Sequence, residues 1–241
     1  ALLASDLLKE EDLVVVNMDE ILDVDLSEIV KNFKRMKYDA GLITFSGSHP
    51  RLSYALINEN NIVEFCAEKM VISKNALTGF YYFSNKELFI ESCSNALLDD
   101  DSLEGNFYLS SAINQIILSN KNVGSYKIDK FQYHTLYSPE MIKEFERSNF
   151  AKNLNNNQKY SELINIVIPA AGEGSRFKDQ CWSDPKPFID INGKPMLQHV
   201  IDNISLPNSN IYLILRDQNT FLSNEFNSKD ANSVNNLFID Y

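Results

Sequence analysis

Four short runs of apolar residues punctuate the chain: DLVVVNMD at 12–19, INIVIPA at 164–170, NIYLILRD at 210–217 and NNLFIDY at 235–241. They are nearly continuous rather than alternating, the pattern of a strand buried on both faces in a parallel sheet. Between and beside them, apolar positions recur at helical spacing, as in DLSEIVKNFKRM (25–36) and GKPMLQHVIDNI (193–204). Strand and helix alternating in this way predict a doubly wound, Rossmann-like α/β sheet. A second pattern fills 54–69, YALINENNIVEFCAEK, where alternation on either side of Asn60-Asn61 predicts a β-hairpin added to that sheet. TGFYYFSNKELF (78–89) and GSYKIDKFQYH (124–134) read as further strands beside it. The first ten residues, ALLASDLLKE, carry the 3–4 spacing of an amphipathic helix with no N-cap before it.

The stretch RSNFAKNLNNNQKYSE (147–162) breaks both patterns. It is polar and crowded with Asn, buries too little apolar surface to fold alone, and reads as a linker. That divides the chain into residues 1–146, a linker at 147–162, and residues 163–241.

Composition narrows the function classes. In 241 residues, 44% are apolar and 11% aromatic, the profile of a globular protein. A net charge of −11 argues against general binding to nucleic acid or anionic membranes. A local cluster of donors can still hold a phosphate. No apolar run approaches the roughly 18 residues of a membrane span, and no signal peptide is visible, so the expectation is a soluble cytoplasmic protein. Cys66, Cys93 and Cys181 are odd in number and have no metal-ligand spacing, which suits packed thiols in a reducing compartment.

The candidate chemistry lies after the 164–170 strand. A buried strand followed by Gly-x-Gly, here Gly172 and Gly174 in AAGEGSR, lets backbone N–H groups approach an anion closely. Ser175 adds a donor, Arg176 can fork onto phosphate, and Lys186 stands as a compact charge between Pro185 and Pro187. The loop lacks the Gly-Lys-Ser/Thr ending of a P-loop. Alone, Gly-x-Gly is most often only a turn. In the other segment Asp19 ends the first apolar run, where α/β folds bind ligands. By spacing alone it is equally a Mg²⁺ ligand or a helix N-cap.

Taken together, IPAAGEGSRF (168–177), DPKPF (184–188) and INGKPMLQHVIDNI (191–204) closely resemble the opening of the sugar-phosphate nucleotidyltransferases, the pyrophosphorylases that make nucleotide sugars. The resemblance implies a mixed sheet of the GT-A-like type that binds an NTP and a phosphorylated acceptor. It implies that Ala170, Ala171, Gly172, Gly174 and Ser175 hold the nucleotide. Arg176 would sit on the leaving pyrophosphate and Lys186 on the reacting phosphates, with Mg²⁺ on Asp19. FCAEKMVISKNALTGFYYFS (65–84) also resembles the family. Lys69 would then contact the acceptor phosphate, with Glu68 and the Thr78-Gly79 backbone nearby. GNFYLSSAINQII (105–117) matches a later, structural helix.

One departure stands out. The family often carries a second metal-binding Asp just before Gly-Thr-Pro-Glu, whereas YHTLYSPEMIKEF (133–145) has Thr135 at about that position and Tyr137 in place of Gly. Asp129 and His134 lie near it. Trp182 reads equally as a stacking or an anchoring residue, and His199 as a packed one.

By this resemblance residues 163–241 look like the start of one domain and 1–146 like its remainder. The connection from the strand ending at Tyr241 to the helix starting at Ala1 is absent. A circular permutant, a piece of a tandem protein or two chains exchanging halves would each fit, and a homo-oligomer belongs to the last. The expectation favoured is one permuted domain, whose linker of about 15 residues spans roughly 20 Å. The expected activity is NMP transfer to a sugar 1-phosphate or similar acceptor for capsule or surface polysaccharide. A GT-A glycosyltransferase using MDEILDVD (18–25), or a non-catalytic nucleotide-binding domain, are the rival readings.

Overall fold

The computed structural model describes residues 1–152, 160–172, 174, 177, 184–216, 226, 228, 229 and 231–239. The first segment contains β1 (Asp12–Val16), β2 (Glu20–Leu22), α1 (Leu26–Arg35), β3 (Ala40–Ser46), β4 (Tyr54–Ile57), β5 (Val63–Ala67) and β6 (Asn75–Phe83). It continues with α2 (Lys86–Leu98), the small hairpin β7 (Ser102–Leu103) and β8 (Asn106–Phe107), α3 (Leu109–Leu118), β9 (Val123–Ile128), β10 (Tyr133–Thr135), α4 (Pro139–Arg147) and α5 (Asn149–Lys152). The second holds β11 (Ile164–Pro169), the hairpin β12 (Asp190–Ile191) and β13 (Lys194–Pro195), α6 (Met196–Ile204), β14 (Ser209–Arg216) and β15 (Ser233–Ile239).

Both segments build one nine-stranded sheet, in the order β15-β14-β11-β1-β6-β3-β9, with the β4–β5 hairpin attached to β6 through Tyr54 and Ala76. Along that path β6 alone runs antiparallel to its neighbours. The others point the same way, so the carboxyl ends of β1, β11 and β14 gather along one edge, where open α/β sheets bind ligands.

The continuous apolar runs are explained by cover on both faces. Val14, Val16, Ile166, Ile168, Ile211 and Leu213 pack with residues of α1, α4 and α6. Leu13, Val15, Val167, Tyr212 and Ile214 pack with those of α2 and α3. Three helices start at a side-chain cap: for α1 Asp25 accepts from Glu28 N–H, for α2 Asn85 from Leu88 N–H, and for α4 Ser138 from Met141 N–H ahead of Pro139.

The segments meet through β1 and β11, paired in parallel from Asp12–Ile164 to Val15–Val167. Polar contacts reinforce the seam. Asn203 accepts from Leu22 N–H at 2.9 Å and donates to Leu22 O at 2.8 Å. Asn165 donates to Lys9 O at 2.9 Å, and Lys34 binds Asp12 at 2.5 Å and also pairs with Glu162. Burial pushes the Asp12 carboxyl above its usual range, and the Lys34 ammonium partly offsets it.

Three expectations need correction. TGFYYFSNKELF is not one strand: β6 stops at Phe83, and the Asn85 cap opens α2 from Lys86. ALLASDLLKE forms a 3-10 helix over Leu2–Leu7, with Ala4 buried but Leu3 and Leu7 exposed. β9 pairs with β3 in the main sheet and lies beside the hairpin, to which it is joined by an isolated Ile62–Gly124 bridge and a Ser125 N–H to Asn61 O bond of 2.9 Å rather than by a strand ladder. The expected linker also holds ordered residues: α4 ends at Arg147, α5 follows, and Tyr160 is buried, while 153–159 lie outside the described residues. Residues 240 and 241 of the last apolar run lie outside them too.

Candidate active site

At the carboxyl end of β1 the chain turns through Asn17, Met18 and Asp19 before β2. Asn17 N–H donates to Gly79 O at 3.2 Å, fixing this turn against β6. Asp19 then meets a residue 167 positions away: Lys186 Nζ donates to its Oδ2 at 2.5 Å. The pair is largely enclosed, with side-chain exposures of 13% for Lys186 and 20% for Asp19. Lys186 opens the 3-10 turn Lys186–Phe188, stiffened by Pro185 and Pro187, and its Nζ lies 5.5 Å from the Phe177 ring centre.

The glycine loop leads to the same place. Ala170 N–H donates to Ile214 O at 2.8 Å, and Arg216 Nε donates to Ala171 O at 2.6 Å, tying the loop's start to β14. Gly174 has φ +62, and a Cβ there would stand 3.0 Å from Lys186 Cβ, so the glycine allows the lysine's close approach. Gly172 is exposed with open space beside it. Ser175, Arg176, Cys181 and Trp182 lie outside the described residues.

Beside this pair a cleft of about 460 Å³ is lined by Asn17, Glu20, Arg51, Glu68, Gly79 and Tyr108, among others. Glu68 is held there by Ser53 Oγ and by Ser110 Oγ, which donates at 3.0 Å. Gly79 adopts φ +70, and a Cβ there would lie 2.1 Å from both Asn17 Nδ2 and Glu20 Oε2. Of the residue Thr78 only the backbone adjoins Gly79, since its buried hydroxyl donates to Ile43 O at 3.2 Å. Lys69 does not line the cleft. Its Nζ donates to Tyr108 Oη at 2.6 Å, and its backbone has φ +50.

Glu20 is the most perturbed acid here. Tyr133 Oη donates to Oε1 at 2.9 Å, while Oε2 is buried without a hydrogen-bond partner. Burial raises its pKa well above the carboxylate range, and the Asp19 charge raises it further. In the sequence Glu20 figured only within MDEILDVD, as a carboxylate of the glycosyltransferase reading, and not as a residue of the nucleotidyltransferase site.

Around the departure from the family pattern, Thr135 pairs with Glu20 across β10 and β2, and Leu136 N–H donates to Asp19 O at 2.7 Å. Thr135 therefore stands next to the acid pair, without a carboxylate. Asp129 is not there: it caps the 3-10 turn Lys130–Gln132. His134 stacks on Phe150 at 5.3 Å, and burial lowers its pKa. His199 Nε2 pairs with Ile191 O at 2.8 Å inside the core. Among the described residues no three His, Cys, Asp or Glu side chains cluster as metal ligands.

No family model matches the chain. Part of it is 42% identical over 53 residues to the bifunctional protein GlmU of Methanocaldococcus jannaschii, covering 22% of this chain and 13% of that protein. It is 38% identical over 71 residues to GlmU of Sulfurovum sp., covering 30% and 16%. The chain thus matches less than a fifth of the length of these curated relatives. Among solved structures it resembles a nucleoside-diphosphate-sugar pyrophosphorylase from Vibrio cholerae, with TM-score 0.51 and 22% identity over 61% of this chain and 60% of that one. The fold is that of the sugar-phosphate nucleotidyltransferases. Within it, the four carboxylates of MDEILDVD separate rather than form a metal cluster: Asp25 caps α1 and accepts from Ser27 Oγ at 2.6 Å, Asp23 is exposed with its main chain bonded to Gln132, and Asp19 and Glu20 stand at the site.

Proposed function

We propose that the chain transfers a nucleoside monophosphate from an NTP to a phosphorylated acceptor, a sugar 1-phosphate or similar, and releases pyrophosphate. The observation that carries this reading is the Asp19–Lys186 pair at 2.5 Å, set beside the Gly174 loop at the carboxyl edge of the sheet. An acceptor phosphate oxygen attacks the α-phosphorus, forming one O–P bond as the bond to the β-phosphate oxygen breaks. Both electrons leave with pyrophosphate. No protein nucleophile is needed, and the residues position the reactants and offset charge.

In this reading Lys186 neutralises charge developing at the α-phosphate, and the loop amides from Ala171 to Gly174, with Ser175 and Arg176, hold the departing pyrophosphate, while the Ala170 N–H already donates to Ile214 O. Glu68 and Gly79 shape the acceptor side. The donor set fits Mg²⁺ held mainly by substrate phosphates: Asp19 offers a hard oxygen, and Thr135 offers no second carboxylate. When bound, the ion would supply positive charge at the phosphates.

We further propose that residues 1–146 and 163–241 work as one domain in permuted order, supported by the β1–β11 pairing. A role in capsule or surface polysaccharide synthesis in the cytoplasm accords with this chemistry. Among the described residues no helix is long and apolar enough to cross a membrane.

A thermal-shift screen of CTP, UTP, GTP, dTTP and ATP, each with and without Mg²⁺, tests the site before the acceptor is known. One base is expected to raise the melting temperature, and Mg²⁺ to enlarge the rise, since a ligand preferring the folded state stabilises it. No response to any nucleotide would overturn the proposal. Nucleotide binding without turnover, the non-catalytic reading, has Thr135 in its favour and is separated by pyrophosphate release.

A further inference from the structure

We propose that Arg51, rather than Lys69, binds the phosphate of the acceptor; the inference rests on the transferase reading above. Among the described residues lining the cleft, Arg51 is the only one with a cationic side chain, while Glu20 and Glu68 line it with carboxyl groups. A phosphate entering between two acids needs a compensating cation, and the guanidinium places it at one end of the cleft.

The loop that carries Arg51 is built rather than loose. Tyr54, fully buried, donates its hydroxyl to His49 O at 2.8 Å, and Leu52 N–H donates to the same carbonyl at 3.1 Å. The guanidinium is held at its far end as well. Nη1 donates to Tyr137 Oη, and the guanidinium carbon lies 5.3 Å from the centre of the Tyr137 ring. Tyr137 follows Leu136, which is fully buried and whose N–H donates to Asp19 O. A short rigid path therefore links the guanidinium to the residue that faces Lys186. Of the five N–H donors of a guanidinium, Tyr137 accepts one, so a fork can still meet a phosphate.

Lys69, exposed like Arg51 and likewise bonded to a tyrosine hydroxyl, differs in its place: it does not line the cleft. Tyr137 occupies the position where the family resemblance has glycine. In this chain that substitution supplies the platform for the guanidinium.

The test exploits the one group all acceptors share. Pyrophosphate release is measured with the NTP selected by thermal shift and with glucose 1-phosphate, glucosamine 1-phosphate, ethanolamine phosphate and choline phosphate in turn. Arg51→Ala is expected to raise the acceptor KM about 10- to 100-fold, by a similar factor for every acceptor the wild type uses, with the NTP KM unchanged. Arg51→Lys should recover part of that loss, Tyr137→Phe should show a smaller rise, and Lys69→Ala should cost less than Arg51→Ala. An unchanged acceptor KM in Arg51→Ala, or a larger effect in Lys69→Ala, would overturn the assignment. If the wild type releases no pyrophosphate with any pair, the transferase reading itself falls and takes this role with it.

Discussion

Replacing Lys186 by alanine is expected to lower turnover about 100- to 1,000-fold, the cost of removing one preorganised charge-stabilising donor from a reacting centre. The structure explains why the fold survives the change. Lys186 sits on a short 3-10 turn at the cleft, and its ammonium binds Asp19 in a pair that retains some exposure on both sides. Because the pair is largely enclosed, removing the ammonium leaves the Asp19 charge unpaired, so some loss of stability is expected too, below the roughly 3–5 kcal/mol of a fully buried pair. The turn itself is held by backbone bonds, Phe188 N–H to Pro185 O at 2.8 Å among them. Initial rates and a thermal melt on the same preparation check both halves of this result. Wild-type turnover in Lys186→Ala would remove Lys186 from the chemistry, and a collapsed melt would make its role structural.

Gly79→Ala is expected to lose both stability and acceptor use. Its φ of +70 belongs to the left-handed region, and a methyl group there would meet Asn17 Nδ2 and Glu20 Oε2 at 2.1 Å. The Glu20 carboxyl is anchored by Tyr133 Oη, and the main chain at Asn17 is tied to this glycine by its N–H bond to Gly79 O. The backbone term alone costs about 1 kcal/mol, and displacing the exposed Asn17 and half-buried Glu20 side chains brings the total to roughly 2–4 kcal/mol. Gly105→Ala separates the two contributions, since Gly105 has φ +76 with nothing within 4 Å of its added methyl. Urea unfolding of both variants should show the larger loss at Gly79. Equal losses would mean that crowding at Asn17 and Glu20 contributes nothing.

The sheet was legible because its chemistry is local to each strand. DLVVV, INIVIP and NIYLILR are apolar at nearly every position because helices cover both faces, and a continuous run is the trace of that burial. The end of β6 was hidden for the converse reason. Phe80 to Phe83 and Leu88 to Phe89 are all buried, and the intervening Asn85, a single capping residue, is the only mark of the change from strand to helix. At the site, Asp19 and Lys186 stood out through their motifs, yet nothing in their spacing says that they touch. The partnership of Arg51 with Tyr137 spans 86 residues and follows from topology alone. Lys69, read as a phosphate contact from its place beside Glu68, has φ +50 and bonds Tyr108 Oη, a partner 39 residues away that its motif does not announce. Thr135, read in the sequence at about the position of the family's second acid, pairs with Glu20, which shows which neighbour a carboxylate there would have had.

The most direct test of the central claim is pyrophosphate release from a matrix of five NTPs and phosphorylated acceptors in Mg²⁺, run with wild type, Lys186→Ala and Asp19→Asn. The account predicts release with one base and one acceptor class, one pyrophosphate per nucleotide-linked product, and near-complete loss in both variants. Nucleotide binding with no release for any pair, or release that both variants sustain at the wild-type rate, would contradict it.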